Sequence, residues 1–133
     1  MIGNRYLQAL YEYGDRDTSI NQLLEFLKYM DKEFIESIHK EVPNINILDE
    51  SELEFLTIAV SLMDYYFQFN KIEVPEWLRD KKLAFKKPYY YSKRLSDFEK
   101  VRLLFSNPSP FRLRNVYFDL NSLVRIWKYK RFY

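Results

Sequence analysis

Any proton relay built on imidazole would have to use His39, the one histidine in the chain. It stands among Glu36, Lys40 and Glu41 on a predicted helix whose apolar positions lie elsewhere, so it reads as a solvated surface residue rather than a general base. Cysteine is absent, which removes thiolate nucleophiles, thiolate metal sites and disulfides. Carboxylates gather in two places. Asp49, Glu50, Glu52 and Glu54 cluster at a predicted helix start, where the helix dipole favours negative charge without any metal. Asp15-Arg16-Asp17 is a D-x-D pattern of the kind that holds magnesium in some phosphoryl-transfer enzymes. The chain has only two glycines, Gly3 and Gly14, so the glycine-rich phosphate loops that accompany such chemistry are excluded. The pattern reads as a turn that caps a helix. These residues supply no catalytic set and no metal or cofactor site, and a non-enzymatic protein is expected.

Binding chemistry is better represented. Arg79, Lys81, Lys82, Lys86 and Lys87 lie close in sequence to Tyr89, Tyr90, Tyr91, Lys93 and Arg94. Arg112 and Arg114 follow, then Lys128, Lys130 and Arg131. Cations hold phosphates and aromatic rings stack on bases, so this half has the composition of a nucleic-acid surface, although it contains no convincing helix-turn-helix. An acidic protein surface would suit the same cations. The candidate partner-binding residues are Arg79, Lys82, Lys86, Lys87, Tyr90, Arg112, Arg114, Lys128, Lys130 and Arg131. The overall charge of +2 conceals a division. Residues 1–77 carry six basic and fifteen acidic side chains, a net of −9, and residues 78–133 carry fifteen basic and four acidic ones, a net of +11. Such polarity serves a partner, or it holds two halves of one fold together with the tyrosines half-buried between them.

The elements that would position these residues are helical. Tyr6, Leu7, Leu10 and Tyr11 share one face of a helix over 4–13, with Gly14 as its C-cap. Residues 15–18 form a turn, and Ile20, Leu23, Leu24, Leu27 and Met30 mark an amphipathic helix over 19–30. Asp31 caps a third segment with Phe34, Ile35 and Ile38 inward, closed by Pro43. Residues 44–48 form a short connector. Asp49 with Glu52, or Ser51 with Glu54, makes a capping box for a helix of about 50–69 that is apolar nearly all round and therefore central and buried. Pro75 opens a short turn in which Trp77 plugs the core. Pro88 enforces an extended stretch near 86–91. Ser96 and Glu99 cap a helix with Phe98, Val101, Leu104 and Phe105 as its stripe. Residues 111–118 alternate and suggest an extended segment, and a last helix follows with Leu120, Leu123, Val124 and Trp127 inward.

The fold class that follows is all-α: a single compact helical domain of five to six helices around the central apolar one. The length of 133 residues suits one domain. The 47% hydrophobic content argues against disorder, and the scarcity of glycine argues against a β-sandwich or barrel. The first thirteen residues lack the apolar core of a signal peptide. Asp64 interrupts the longest apolar run, 55–69, so no membrane span is expected and a cytoplasmic location follows by default.

From the central helix onward the chain resembles a family of small, all-helical bacterial proteins often encoded beside nucleotidyltransferase-like toxin genes. The resemblance is carried by five runs in order. They are Glu54-Phe55-Leu56-Thr57-Ile58-Ala59-Val60, Val74-Pro75-Glu76-Trp77, Lys87-Pro88-Tyr89-Tyr90, Ser109-Pro110-Phe111-Arg112-Leu113-Arg114-Asn115-Val116-Tyr117 and Asn121-Ser122-Leu123-Val124-Arg125-Ile126. They span about residues 52–126 and leave the first 45 residues and the basic tail outside. The resemblance implies an antitoxin-like protein whose partner is the neighbouring toxin, and it singles out Trp77, Pro88, Phe111, Arg114, Asn115 and Arg125. The physical reading of these residues is structural. Trp77, Pro88 and Phe111 act as anchors, Asn115 satisfies loop backbone groups, and Arg114 bridges to the acidic half.

Overall fold

A computed structural model describes residues 1–91 and 96–118. The architecture is all-α, with one minimal sheet. Helix α1 spans Arg5–Glu12, α2 Arg16–Tyr29, α3 Lys32–Lys40, α4 Glu50–Phe69, α5 Asp97–Ser106 and α6 Ser109–Arg112. Short 3₁₀ turns lie at Ile45–Ile47 and Glu76–Arg79. Strands β1, Tyr89–Tyr90, and β2, Val116–Tyr117, pair in parallel with Tyr89 opposite Val116 and Tyr90 opposite Tyr117. Among the described residues no helix is long and apolar enough to cross a membrane. The expected last helix at 119–127, Arg125 and the tail cations Lys128, Lys130 and Arg131 lie outside the described residues.

Helix α4 is the axis, as its all-round apolar sequence requires. Phe55, Leu56, Ile58, Ala59, Val60, Leu62, Met63, Tyr66 and Phe67 are all buried. It packs against α1, α2, α6, the second 3₁₀ turn and β2. Asp49 accepts from the Glu52 amide at 2.8 Å while the Glu52 carboxylate accepts from the Asp49 amide at 3.1 Å, which closes the capping box. The alternative pair does not form, since Glu54 reaches Arg16 instead. Two buried hydroxyls within α4 bond back along the helix, Thr57 to the Leu53 carbonyl and Ser61 to the Thr57 carbonyl.

Several boundaries differ from the sequence expectations, each for a local reason. Helix α2 starts at Arg16, because Asp15 accepts from the Thr18 amide at 2.8 Å and so makes residues 16–18 the first turn. Helix α1 ends on Tyr13 in the right-handed region, so Gly14 is not a left-handed cap. Residues 111–118 are extended only at 116–117, because Pro110 opens the single turn of α6. Phe98, expected inside the α5 stripe, is 78% exposed, and Leu103 is buried in that helix. The side chains of Val101, Leu104 and Phe105 lie outside the described set.

Candidate functional site

Among the described residues, charges of the acidic and basic halves pair at one buried carboxylate. Asp64 on α4 is 1% exposed and Arg114, just before β2, is 4% exposed. The Arg114 guanidinium donates to Asp64 Oδ2 at 2.9 Å, to the Leu78 carbonyl at 2.7 Å and to the Pro110 carbonyl at 2.7 Å. Gln68 donates to Asp64 Oδ1 at 2.7 Å, and Arg79 approaches the same carboxylate at 3.3 and 3.4 Å from its exposed side. Burial alone would raise the Asp64 pKa. The hydrogen bonds from Gln68, Arg79 and Arg114 outweigh it and hold the carboxyl below its ordinary value. Burial also lowers Arg114, against the opposing pull of Asp64, but an arginine stays protonated in water-accessible pH ranges. Arg114, expected on the partner-binding surface, is therefore a structural tie. All its contacts are internal.

The tie supports a short arch above it. The Phe85 amide donates to the Arg114 carbonyl at 2.9 Å and the Tyr89 amide to the Asn115 carbonyl at 2.8 Å. Residues 86–88 thus rise between two fixed feet. Asn115 sits in the left-handed region at φ 60°, which asparagine tolerates better than most residues. Its side chain donates to the Phe85 carbonyl at 3.2 Å and accepts from the Tyr117 hydroxyl, so it satisfies loop backbone as its type suggested. Lys86, Lys87 and Pro88 are exposed on the arch, and Arg112 and Leu113 are exposed on the segment that holds its feet. Lys86, Lys87 and Arg112 make no ion pair with any described residue. Pro88 is accordingly an exposed shaper of the arch, not a core anchor. Phe111 is fully buried, and Trp77 is half-buried with its indole N–H donating to the Ile38 carbonyl at 2.9 Å.

The three consecutive tyrosines are half-buried and stacked. Tyr89 lies on Phe85 with centroids 4.7 Å apart, Tyr90 on Tyr117 at 5.5 Å, and Tyr91 against Phe118 at 4.7 Å. Tyr90 also carries Lys100 over its ring at 5.5 Å. Lys82 donates to Asn46, so it is engaged with the first 3₁₀ turn. On the other side of the tyrosines, Asp15, Arg16, Asp17 and Glu54 join Tyr89 and Tyr91 around a cleft of about 290 Å³. Arg16 pairs with Glu54 there at 2.8 Å. Burial, then a hydrogen bond to Asp17, raises the Tyr91 hydroxyl. The D-x-D carboxylates thus serve as a cap and a tyrosine partner. His39 departs from its surface reading. It is half-buried, its ring stacks on Phe67 at 5.9 Å, and its nitrogens face the Ile35 and Glu73 carbonyls at 2.9 and 2.8 Å.

The structure therefore joins the segment that carries Lys86 and Lys87 to the one that follows Arg112, through the Phe85–Arg114 and Tyr89–Asn115 backbone bonds. It places Arg79 beside Asp64 and Lys82 beside Asn46, sets Tyr90 in a stack and buries Arg114. The surface residue that sequence reading missed is Leu113, 72% exposed. The alternation of residues 111–118 suggested only an extended segment, and the α6 turn that replaces its start leaves Leu113 outside. Comparison with protein-family models, with curated proteins and with solved structures finds no match for this chain.

Proposed function

We propose that this is a non-enzymatic binding protein of the bacterial cytoplasm that uses its basic half to hold a protein partner, as an antitoxin holds the product of a neighbouring gene. One observation carries the reading. Among the described residues, the pairs Arg5–Glu41, Arg16–Glu54, Lys28–Glu25 and Lys40–Glu36 all lie within the acidic half. Asp64 is the one carboxylate there that pairs with cations of the basic half, Arg79 and Arg114. Among the described residues, contacts between the halves thus engage three of the C-terminal cations, Arg79 and Arg114 on Asp64 and Lys82 on Asn46. Lys81, Lys86, Lys87, Arg102 and Arg112 are exposed and unpaired among the described residues, and they favour an acidic partner.

The test is co-expression with the product of the adjacent gene. The reading expects co-purification, neutralisation of any toxicity, and affinity that falls as salt rises. A neighbour product that neither binds nor is neutralised overturns it. A nucleic-acid regulator would use the same cations, but Tyr89, Tyr90 and Tyr91, the rings beside them among the described residues, each already pack against another ring. A gel shift at two salt concentrations separates the readings, because phosphate contacts weaken steeply with salt.

A further inference from the structure

The exposed rim above the Asp64–Arg114 tie has a composition that selects among partners. It presents three cations, Lys86, Lys87 and Arg112, and one aliphatic side chain, Leu113. These come from segments some 25 positions apart, brought together by the Phe85–Arg114 and Tyr89–Asn115 backbone bonds. The frame is rigid at every joint. Both feet of the arch are hydrogen-bonded, Asn115 locks the turn from the other side, and Arg114 is fixed to Asp64, Leu78 and Pro110. A partner docking here would order few side chains and no backbone, which lowers the entropic cost of association.

Leu113 decides the kind of partner. A phosphate backbone needs cations alone, and an aliphatic group placed among them would stay wet and contribute nothing. Stacked bases need free aromatic faces, and each of the neighbouring tyrosine rings already packs against Phe85, Tyr117 or Phe118. An exposed aliphatic side chain next in sequence to Arg112, on the segment bonded to the feet of the Lys86–Lys87 arch, instead suits a protein interface, where apolar contacts and charged groups occur together. We infer that the rim of Lys86, Lys87, Arg112 and Leu113 docks an acidic protein segment that carries an apolar side chain among its carboxylates. The carboxylates face the three cations, and the apolar group covers Leu113. This rests on the binding-protein reading above and names its surface and the chemistry of its partner.

The experiment is a titration of the isotope-labelled full-length protein, followed by amide NMR signals, with three probes. These are a synthetic Asp/Glu-rich peptide containing one leucine, the same peptide with serine in place of that leucine, and a short DNA duplex. Expected are shifts confined to residues 85–90 and 112–115 with the first peptide. Binding should be about tenfold weaker with the serine peptide or with Leu113→Ser, the ratio that losing one modest apolar contact gives. It should be weaker by more than that in Lys86→Glu/Lys87→Glu/Arg112→Glu. All these positions are exposed, and thermal melts of the variants check that the fold is kept. The inference is overturned by shifts that map elsewhere, by a Leu113→Ser variant that binds unchanged, or by duplex DNA binding more tightly than the peptide. Shifts at the rim on raising the protein concentration alone also overturn it, by making the occupant a second copy. A neighbouring-gene product that binds the triple charge variant as well as the native chain sinks this surface and leaves the binding role standing. A product that fails to bind either, while the peptide still titrates, does the reverse.

Discussion

Asp64 and Arg114 hold each other in the interior, and removing Arg114 leaves the buried Asp64 carboxylate with only Gln68 and the half-exposed Arg79. Arg114→Ala is expected to cost about 3–5 kcal/mol, the usual penalty for orphaning a buried ion. Arg79→Ala touches the same carboxylate from a half-exposed side chain and should cost at most about 1 kcal/mol. Urea denaturation of the two variants checks the contrast, and equal losses would contradict the geometry. Acidity should act on the same group. The folded-state pKa of Asp64 lies below the ordinary value, so its contribution is complete above about pH 4, the unfolded value, and is lost as pH falls through the folded one. Unfolding midpoints measured downward from pH 5 should decline with a slope that Asp64→Asn reduces. Tyr66 works at the other end of the scale. Burial raises its hydroxyl from 10.0 to about 12, which favours the neutral form in the fold. The associated stability is present below pH 10 and disappears as pH climbs toward 12, and Tyr66→Phe should blunt that alkaline loss. The sequence suggested that Arg114 bridges to the acidic half, but not to which carboxylate, because Asp64 lies fifty positions earlier in the chain.

At the scale of elements, α4 was readable because its signals are local. A capping box at fixed spacing and apolar residues on nearly every face from 53 to 69 place it in the middle of a helical body. The start of α5 was readable for the same reason, since Ser96 and Glu99 cap it as their spacing suggests. The facing of α5 was not. Phe98 and Leu103 both suit an apolar stripe, and a ten-residue helix does not contain enough turns for the pattern to choose between them. Phe98→Ser should therefore change stability by less than about 0.5 kcal/mol, whereas Leu103→Ala should cost about 2 kcal/mol or more. Thermal melts of the pair check the assignment. The rim was half legible. Its cations stood out by type, but Leu113 became visible only once α6 showed which way the segment turns.

At the scale of the whole molecule, the opposite charges of the halves form ion pairs at Asp64 alone among the described residues, and most of the other described cations of the basic half are exposed. High salt should therefore leave stability nearly unchanged, because the buried tie is poorly screened, while it weakens any association through the exposed cations. Matched melting and binding measurements at low and high salt test this, and a large drop in melting temperature would contradict it. The placement of Asp64 also has a consequence for how the chain is made. When the first four helices have emerged from the ribosome, the carboxylate on α4 still lacks both of its arginines, and the face that α6 and β2 will cover is bare. The nascent protein therefore cannot complete this interior until Arg114 has left the exit tunnel, and a chain released before that residue is synthesised would leave Asp64 with Arg79 and Gln68 on a face that nothing covers.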